Sequence, residues 1–458
     1  MRVPFHSNAL YKNLAGSIVI KSASILLACA AGLILGSSTQ AAQPAPAIPT
    51  DQAARIFAEA QALCSADEGK LWKHSLCVPM MFVDPATRET VLDRPVKGAK
   101  KDGAIYRLSL PPNIGIANTS IEFQGRHWSM VMWPLPDDKT TRDILLMHES
   151  YHSIQPALGL QGDGGLGKNG ELDSRDGRIW LRAEFSALRT ALQASGKHRQ
   201  QALADALLFR SYRMSLWPHA AADERSLELN EGLAESTGID ASLHTDKARI
   251  AAAIQDIDGV EKERSFVRSF AYATGPAYAE LLDAVQSDWR RKVTPDFAFG
   301  VAAAAAYGLA FPKPDKQRAM AAIAKYDGKK IIAEEDTRAK LTAERNARFT
   351  KALVNGPTLT LPLKKFSISY DPRMVYTLPG HGSVYQTLTL GDAWGKLTVH
   401  DDGMALISSA FDSVTVPLEG TPKGSKLSGH DWSLTLSESV RLKPDPKHKG
   451  SFIVTVEP

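Results

Sequence analysis

Between Thr141 and about Leu353 the apolar residues recur at helical spacing almost throughout, and beyond Gly356 they alternate every second residue. That change of period limits the fold more than any other feature, because a 3.6-residue stripe and a two-residue alternation belong to different elements. RIWLRAEFSALRTALQ, RQQALADALLFRSYR, ERSLELNEGLAEST, YAELLDAVQSDWRRK and EEDTRAKLTAERNARFTKAL each suit an amphipathic or exposed helix. FSISY, SVYQTLTL, GKLTVH, SVTVPL, WSLTL and SFIVTV suit strands separated by Gly, Pro and Asp turns. The expectation is an α+β protein with a helical region over 141–356 and an all-β domain over 357–458. Residues 51–140 read as a small mixed α/β region: a helix over Gln52–Cys64, then strands at Met80–Val83, Ala104–Leu110 and Trp128–Trp133. The last of these, WSMVMW, reads as an edge strand open to an extended peptide or, equally well, as an ordinary buried strand.

Ahead of this body, Arg2, Lys12 and Lys21 precede the apolar run Ala23–Gly36, and small residues follow. That layout predicts a secretory signal over 1–42, followed by a proline-stiffened linker at 43–50 and a periplasmic or secreted destination. The run falls short of the roughly 20 residues of a comfortable membrane span, so no stable span is expected after cleavage, although retention as an anchor stays open. In an oxidising compartment Cys64 and Cys77 read as a disulfide, stabilising by about 3 kcal/mol. Lys and Arg outnumber Asp and Glu by only 54 to 50, with no basic run interleaved with aromatics, which argues against a nucleic-acid partner. The glycine-rich LQGDGGLGKNG contains no GxxxxGK[ST] and reads as a surface connection.

The chemistry centres on LLMHESYHSIQ. Residues four apart on a helix lie close in azimuth, so His148 and His152 can aim at one ion, while Glu149 points about 100° from His148, towards a water held by that ion. Chance alone produces such a pattern in about one or two chains per hundred of this composition, so a third ligand carries the decision. Two downstream acids compete: Glu231 in LELNEGLAES, with Glu235 one turn later, and Glu184 in IWLRAEFSAL, whose other reading is a buried carboxylate paired with an arginine such as Arg182 or Arg189, or a group behind the ligands.

NEGLAE resembles the third-ligand helix of the aminopeptidase N-like family and, more distantly, the NExxxD helix of thermolysin; both are gluzincin zinc peptidases. The resemblance implies Glu231 as third ligand and Glu235 as the carboxylate that hydrogen-bonds a ligand histidine. SFAYATGPAYAELLDA resembles the YxKG segment of the same family, which implies that Tyr272 donates to the oxyanion formed on the substrate carbonyl, with Gly275 matching the glycine. Tyr278 is the substitute for Tyr272, and Arg268 is a further candidate for contacting substrate charge. The likeness covers about forty residues in three segments. Thr274 stands where the family has lysine, 79 positions separate His152 from Glu231, and no GxMEN segment precedes the motif. Recognition of a free substrate amine is therefore not implied.

The resulting expectation is a secreted or periplasmic zinc metallopeptidase with one zinc ion, acting on a peptide or protein through a metal-bound water activated by Glu149. The alternatives are a zinc hydrolase of a non-peptide substrate and a noncatalytic metal-containing envelope binding protein. A closed structural zinc site has no use for Glu149 beside the water, which weighs against the last. Cleavage preference and oligomeric state are not legible in the sequence.

Overall fold

The computed structural model describes residues 48–160, 168–371, 374–400, 403–438 and 440–456. The segment read as a signal, most of the linker and most of the glycine-rich loop lie outside the described residues. The described chain divides into two compact units, the first running to Thr337 and the second beginning at Arg338.

Helix α1 (Thr50–Asp67) opens the first unit and precedes a six-stranded sheet. Its strands are β1 (Met80–Val83), β2 (Glu89–Leu92), β3 (Lys100–Asp102), β4 (Ile105–Ser109), β5 (Thr119–Phe123) and β6 (Arg126–Met132), in the order β3-β4-β2-β1-β6-β5. β1 and β6 run parallel; the other neighbours are antiparallel. All four residues of β1 are buried because both faces of the sheet are covered. Met80 and Phe82 turn towards the helices, where Phe82 stacks on Phe57 of α1 with centroids 4.2 Å apart, while Met81 and Val83 join Trp128 and Met130 on the opposite face.

Of the two readings of WSMVMW, the edge strand is corrected and the buried strand holds. β6 lies inside the sheet, between β1 and β5, and the edges belong to β3 and β5. The cause is a tight turn at Gln124 and Gly125, both with positive φ, which folds TSIEF back so that Thr119 pairs with Met130 and Phe123 with Arg126.

Helix α2 (Lys139–Ile154) starts at the PLPDD turn, where the Asp138 carboxylate accepts from the Thr141 N–H at 2.8 Å and so caps the helix. The chain continues through α3 (Arg175–Gln193), α4 (Gly196–Ser215), α5 (Ala220–Leu227), a single π-helical turn over Glu228–Gly232, α6 (Leu233–Ser242), α7 (Asp246–Val260), α8 (Phe270–Asp283), α9 (Phe299–Ala306), α10 (Lys316–Ala322) and α11 (Gly328–Leu353). One apolar core joins α1, α2, the helix-facing side of the sheet and the helices that follow. A disulfide between Cys64 and Cys77 ties the end of α1 to the approach to β1.

Two glycines set how closely the central helices approach. A Cβ at Gly238 of α6 would lie 2.6 Å from the Ile144 carbonyl oxygen of α2, and a Cβ at Gly275 of α8 would lie 2.3 Å from the Gly232 Cα of the π turn. Neither gap admits a side chain.

In the second unit the residues from Thr358 to Val456 form two sheets, of seven and five strands. WSLTL shows the expected alternation: Trp432, Leu434 and Leu436 are buried, and Ser433 and Thr435 are exposed. The last turns of α11 belong to this unit, because Phe349 and Leu353, four apart, pack on Leu378, Val384 and Leu406. The division between the two units thus falls within α11, ahead of the 356/357 boundary read from periodicity. Among the described residues no helix is long and apolar enough to cross a membrane.

Candidate metal centre

His148 and His152 both project from the last turns of α2, and their Nε2 atoms lie 3.1 Å apart. Glu231 reaches the same point from the π turn, its Oε2 3.5 Å from His148 Nε2 and 3.7 Å from His152 Nε2. Ligands at 2.0–2.1 Å in a tetrahedron are separated by about 3.3 Å, so the three atoms stand near the spacing that a zinc ion requires. Two imidazole nitrogens and one carboxylate oxygen are also the donor set zinc accepts in catalytic sites, with a fourth position left to water or substrate. The residues therefore fit the ion that the motif implies.

Each of the three side chains is held from behind. His148 Nδ1–H donates to Glu235 Oε2 at 2.7 Å, and His152 Nδ1–H donates to Gln155 Oε1 at 3.0 Å, so both Nε2 atoms turn inwards. Gln155 is itself fixed, since its amide donates to the carbonyls of Leu160 and Leu229 at 3.0 and 3.3 Å. Glu231 Oε1 accepts from Arg268 Nη2 and from Asn230 Nδ2, each at 3.0 Å, which leaves Oε2 as the oxygen that faces the two histidines. Tyr272 donates its hydroxyl to Oε2 and lays its ring on the His148 imidazole, with centroids 5.6 Å apart and planes within 3°. Glu149 is 1% exposed, and its Oε2 has no hydrogen-bond partner among the described residues. A buried carboxylate oxygen in that condition costs free energy unless it has a proton or water to receive.

Electrostatics bind the cluster together. Burial alone would depress His148, but its hydrogen bonds to Glu231 and Glu235 raise it well above the usual histidine range. His152 is raised in the same way, against its burial, chiefly by Glu231. Burial opposes ionisation of Glu231, yet the two imidazoles hold its carboxyl well below the usual carboxylate range. Burial pushes the Glu149 carboxyl up, while the histidines pull it partly back.

Glu184 stands apart from this cluster. It is fully buried on α3, where it accepts from Arg210 Nη1 at 3.2 Å, from Arg213 Nη1, and from the Tyr278 hydroxyl at 2.8 Å. Its roles as alternative ligand and as a group behind the ligands are corrected accordingly. The arginines named for it from sequence lie elsewhere: Arg182 pairs with Glu261, Glu334 and Glu335, and Arg189 with Asp258 and Glu261. Tyr278 is equally enclosed and cannot meet substrate, whereas the Arg268 side chain is 40% exposed.

Gln155 carries an orienting role that the sequence reading missed. Its signal was present: an amide three residues after the second histidine shares that histidine's helix face. A further acidic group, Asp240, Glu280 and Asp283, is already compensated, with Arg290 on Asp240 and Asp283 and Arg249 beside Asp240 and Glu280. Burial and the neighbouring Asp240 also push the Glu280 carboxyl up to about 9.

Comparison with protein-family models, with curated proteins and with solved structures finds no match to this chain.

Proposed function

We propose that this chain is a zinc-dependent peptidase of gluzincin type, exported from the cytoplasm. The observation that carries the reading is the convergence of His148 Nε2, His152 Nε2 and Glu231 Oε2 within 3.7 Å of one another, each with its outer atom held by a partner. The disulfide supports an oxidising destination.

When bound, zinc supplies a Lewis acid that lowers the pKa of a water and polarises a carbonyl. His148, His152 and Glu231 would hold it. Glu149 accepts the proton of the attacking water through Oε2 and returns it to the leaving amine. Tyr272, adjacent to the ligand oxygen, donates its hydroxyl to the oxygen that gains negative charge. Arg268 and Asn230 occupy Oε1 of Glu231, so that Oε2 is the oxygen that would hold the ion.

Metal analysis of the purified protein, with turnover of casein and a peptide library before and after chelation and zinc return, tests the proposal. One zinc per chain and peptide cleavage that is lost and restored with the metal are expected. A wild type that stays metal-free when zinc is offered overturns the metal reading, and a zinc-loaded protein that cleaves no peptide overturns the peptidase reading.

Tyr272→Phe is a sharper probe, because phenylalanine keeps the ring stacked on His148 and removes only the hydroxyl. In protein assayed at saturating zinc we expect kcat to fall about 100- to 1000-fold with KM little changed. A zinc-loaded variant with wild-type kcat would remove Tyr272 from the chemistry.

A further inference from the structure

The π turn that presents Glu231 borders a second, buried set of charges. Glu184, Glu224 and Glu228 face Arg210 and Arg213, and all five are at most 2% exposed. Arg213 engages Glu184 and Glu224; Arg210 engages Glu184 and, at 2.5 Å, Glu228. Three carboxylates against two guanidiniums leave one negative charge unmatched, and an unmatched charge in such a place is costly unless neutral donors meet it. The structure supplies two: Tyr278 donates to Glu184 at 2.8 Å, and Thr274 donates to Glu228 at 2.5 Å.

Glu228 is the first residue of the π turn, and its carbonyl accepts from the Leu233 N–H that closes the turn. A π turn is a rare, widened form of helix, and a chain that keeps one fixes it by tertiary contacts. Three ties run from α8 to this turn: Tyr272 to Glu231, Thr274 to Glu228, and Gly275 against Gly232. We infer that Thr274 is a positioning residue for the metal ligand Glu231, acting through Glu228 to hold the π turn at the width that directs Glu231 Oε2 towards the two histidines. Thr274 is fully buried, and its hydroxyl meets Glu228 and the Phe270 carbonyl rather than Glu231. Its hydroxyl and Arg210 are the partners of the Glu228 carboxylate among the described residues, so losing the hydroxyl leaves that carboxylate to Arg210 alone and frees one side of the turn.

This inference rests on Glu231 being a zinc ligand, and its test separates the two. Zinc affinity is measured by competition with a chromophoric chelator for the wild type, Thr274→Val, Thr274→Ser and Tyr278→Phe, alongside thermal unfolding of the zinc-free proteins. Thr274→Val is expected to weaken zinc binding about 10- to 100-fold, with serine restoring it. Tyr278→Phe, which loosens the same network on the Glu184 side, is expected to lower the unfolding temperature while leaving zinc affinity at the wild-type value. Should the valine protein fail to fold, Thr274→Cys, with a poorer donor of similar size, is read the same way and is expected to weaken binding less steeply. Wild-type zinc affinity in the donor-poor variants, or an equal loss in Tyr278→Phe, overturns the inference while leaving the metal site intact. A wild type that takes up no zinc overturns the site itself, and this inference falls with it.

Discussion

Glu149→Gln is expected to lower peptide turnover by about 100- to 10,000-fold while the protein keeps its zinc. Glutamine matches glutamate in shape, and Glu149 makes no hydrogen bond through Oε2 among the described residues, so the exchange leaves the fold little to lose. What disappears is an acceptor for a proton. The carboxyl is buried beside Glu231 and Glu235, which raises its affinity for a proton and makes it a stronger base than a solvated carboxylate. His148, His152 and Glu231 are untouched, so metal content and chelator competition remain at wild-type values. Equal turnover by the two proteins at equal zinc content would show that Glu149 is not the base.

Arg213→Met has the largest expected effect on stability, a loss of about 3–5 kcal/mol in urea unfolding of the zinc-free protein. The guanidinium is fully buried and contacts the carboxylates of both Glu184 and Glu224. Methionine fills much of the volume without meeting either charge. Glu184 keeps Arg210 and Tyr278, but the nearest remaining guanidinium nitrogen to Glu224 is Arg210 Nη2, 3.9 Å from its Oε2. The cost is thus that of stranding a carboxylate in the core rather than of losing one ion pair. A loss below about 1 kcal/mol, the range of an exposed pair, would mean that water enters the network.

Periodicity made the α+β class legible, because each segment's apolar spacing already matched the face it buries. Trp432, Leu434 and Leu436 alternate inwards, and α3 carries Leu181, Phe185 and Leu188 along one stripe. It did not reveal sheet position. RHWSMVM has the same composition at an edge or in an interior, and what decides is whether TSIEF folds back on it. Phe349 and Leu353 likewise continue a helical pattern, yet the sheet they cover lies later in the chain.

At the site, helical geometry places His148 and His152 side by side from their spacing alone. Glu231 and Glu235 were drawn to them by motif order and resemblance, since no local rule selects one buried glutamate over another. Glu184 shows why: its partners Arg210 and Arg213 come from another helix, and nothing in IWLRAEFSAL announces them. Gln155 was visible in the quoted motif, but its function depends on the carbonyls of Leu160 and Leu229 that fix it, and the latter is 74 positions away.

The glycine contacts at Gly238 and at Gly232 with Gly275 give the candidate centre a particular sensitivity to change. Where helices rest backbone on backbone, main-chain atoms set how closely they approach, with Ile144 and Phe299 the side chains nearest the gaps. A single methyl group at either crossing would push apart the segments that carry His148, His152 and Glu231.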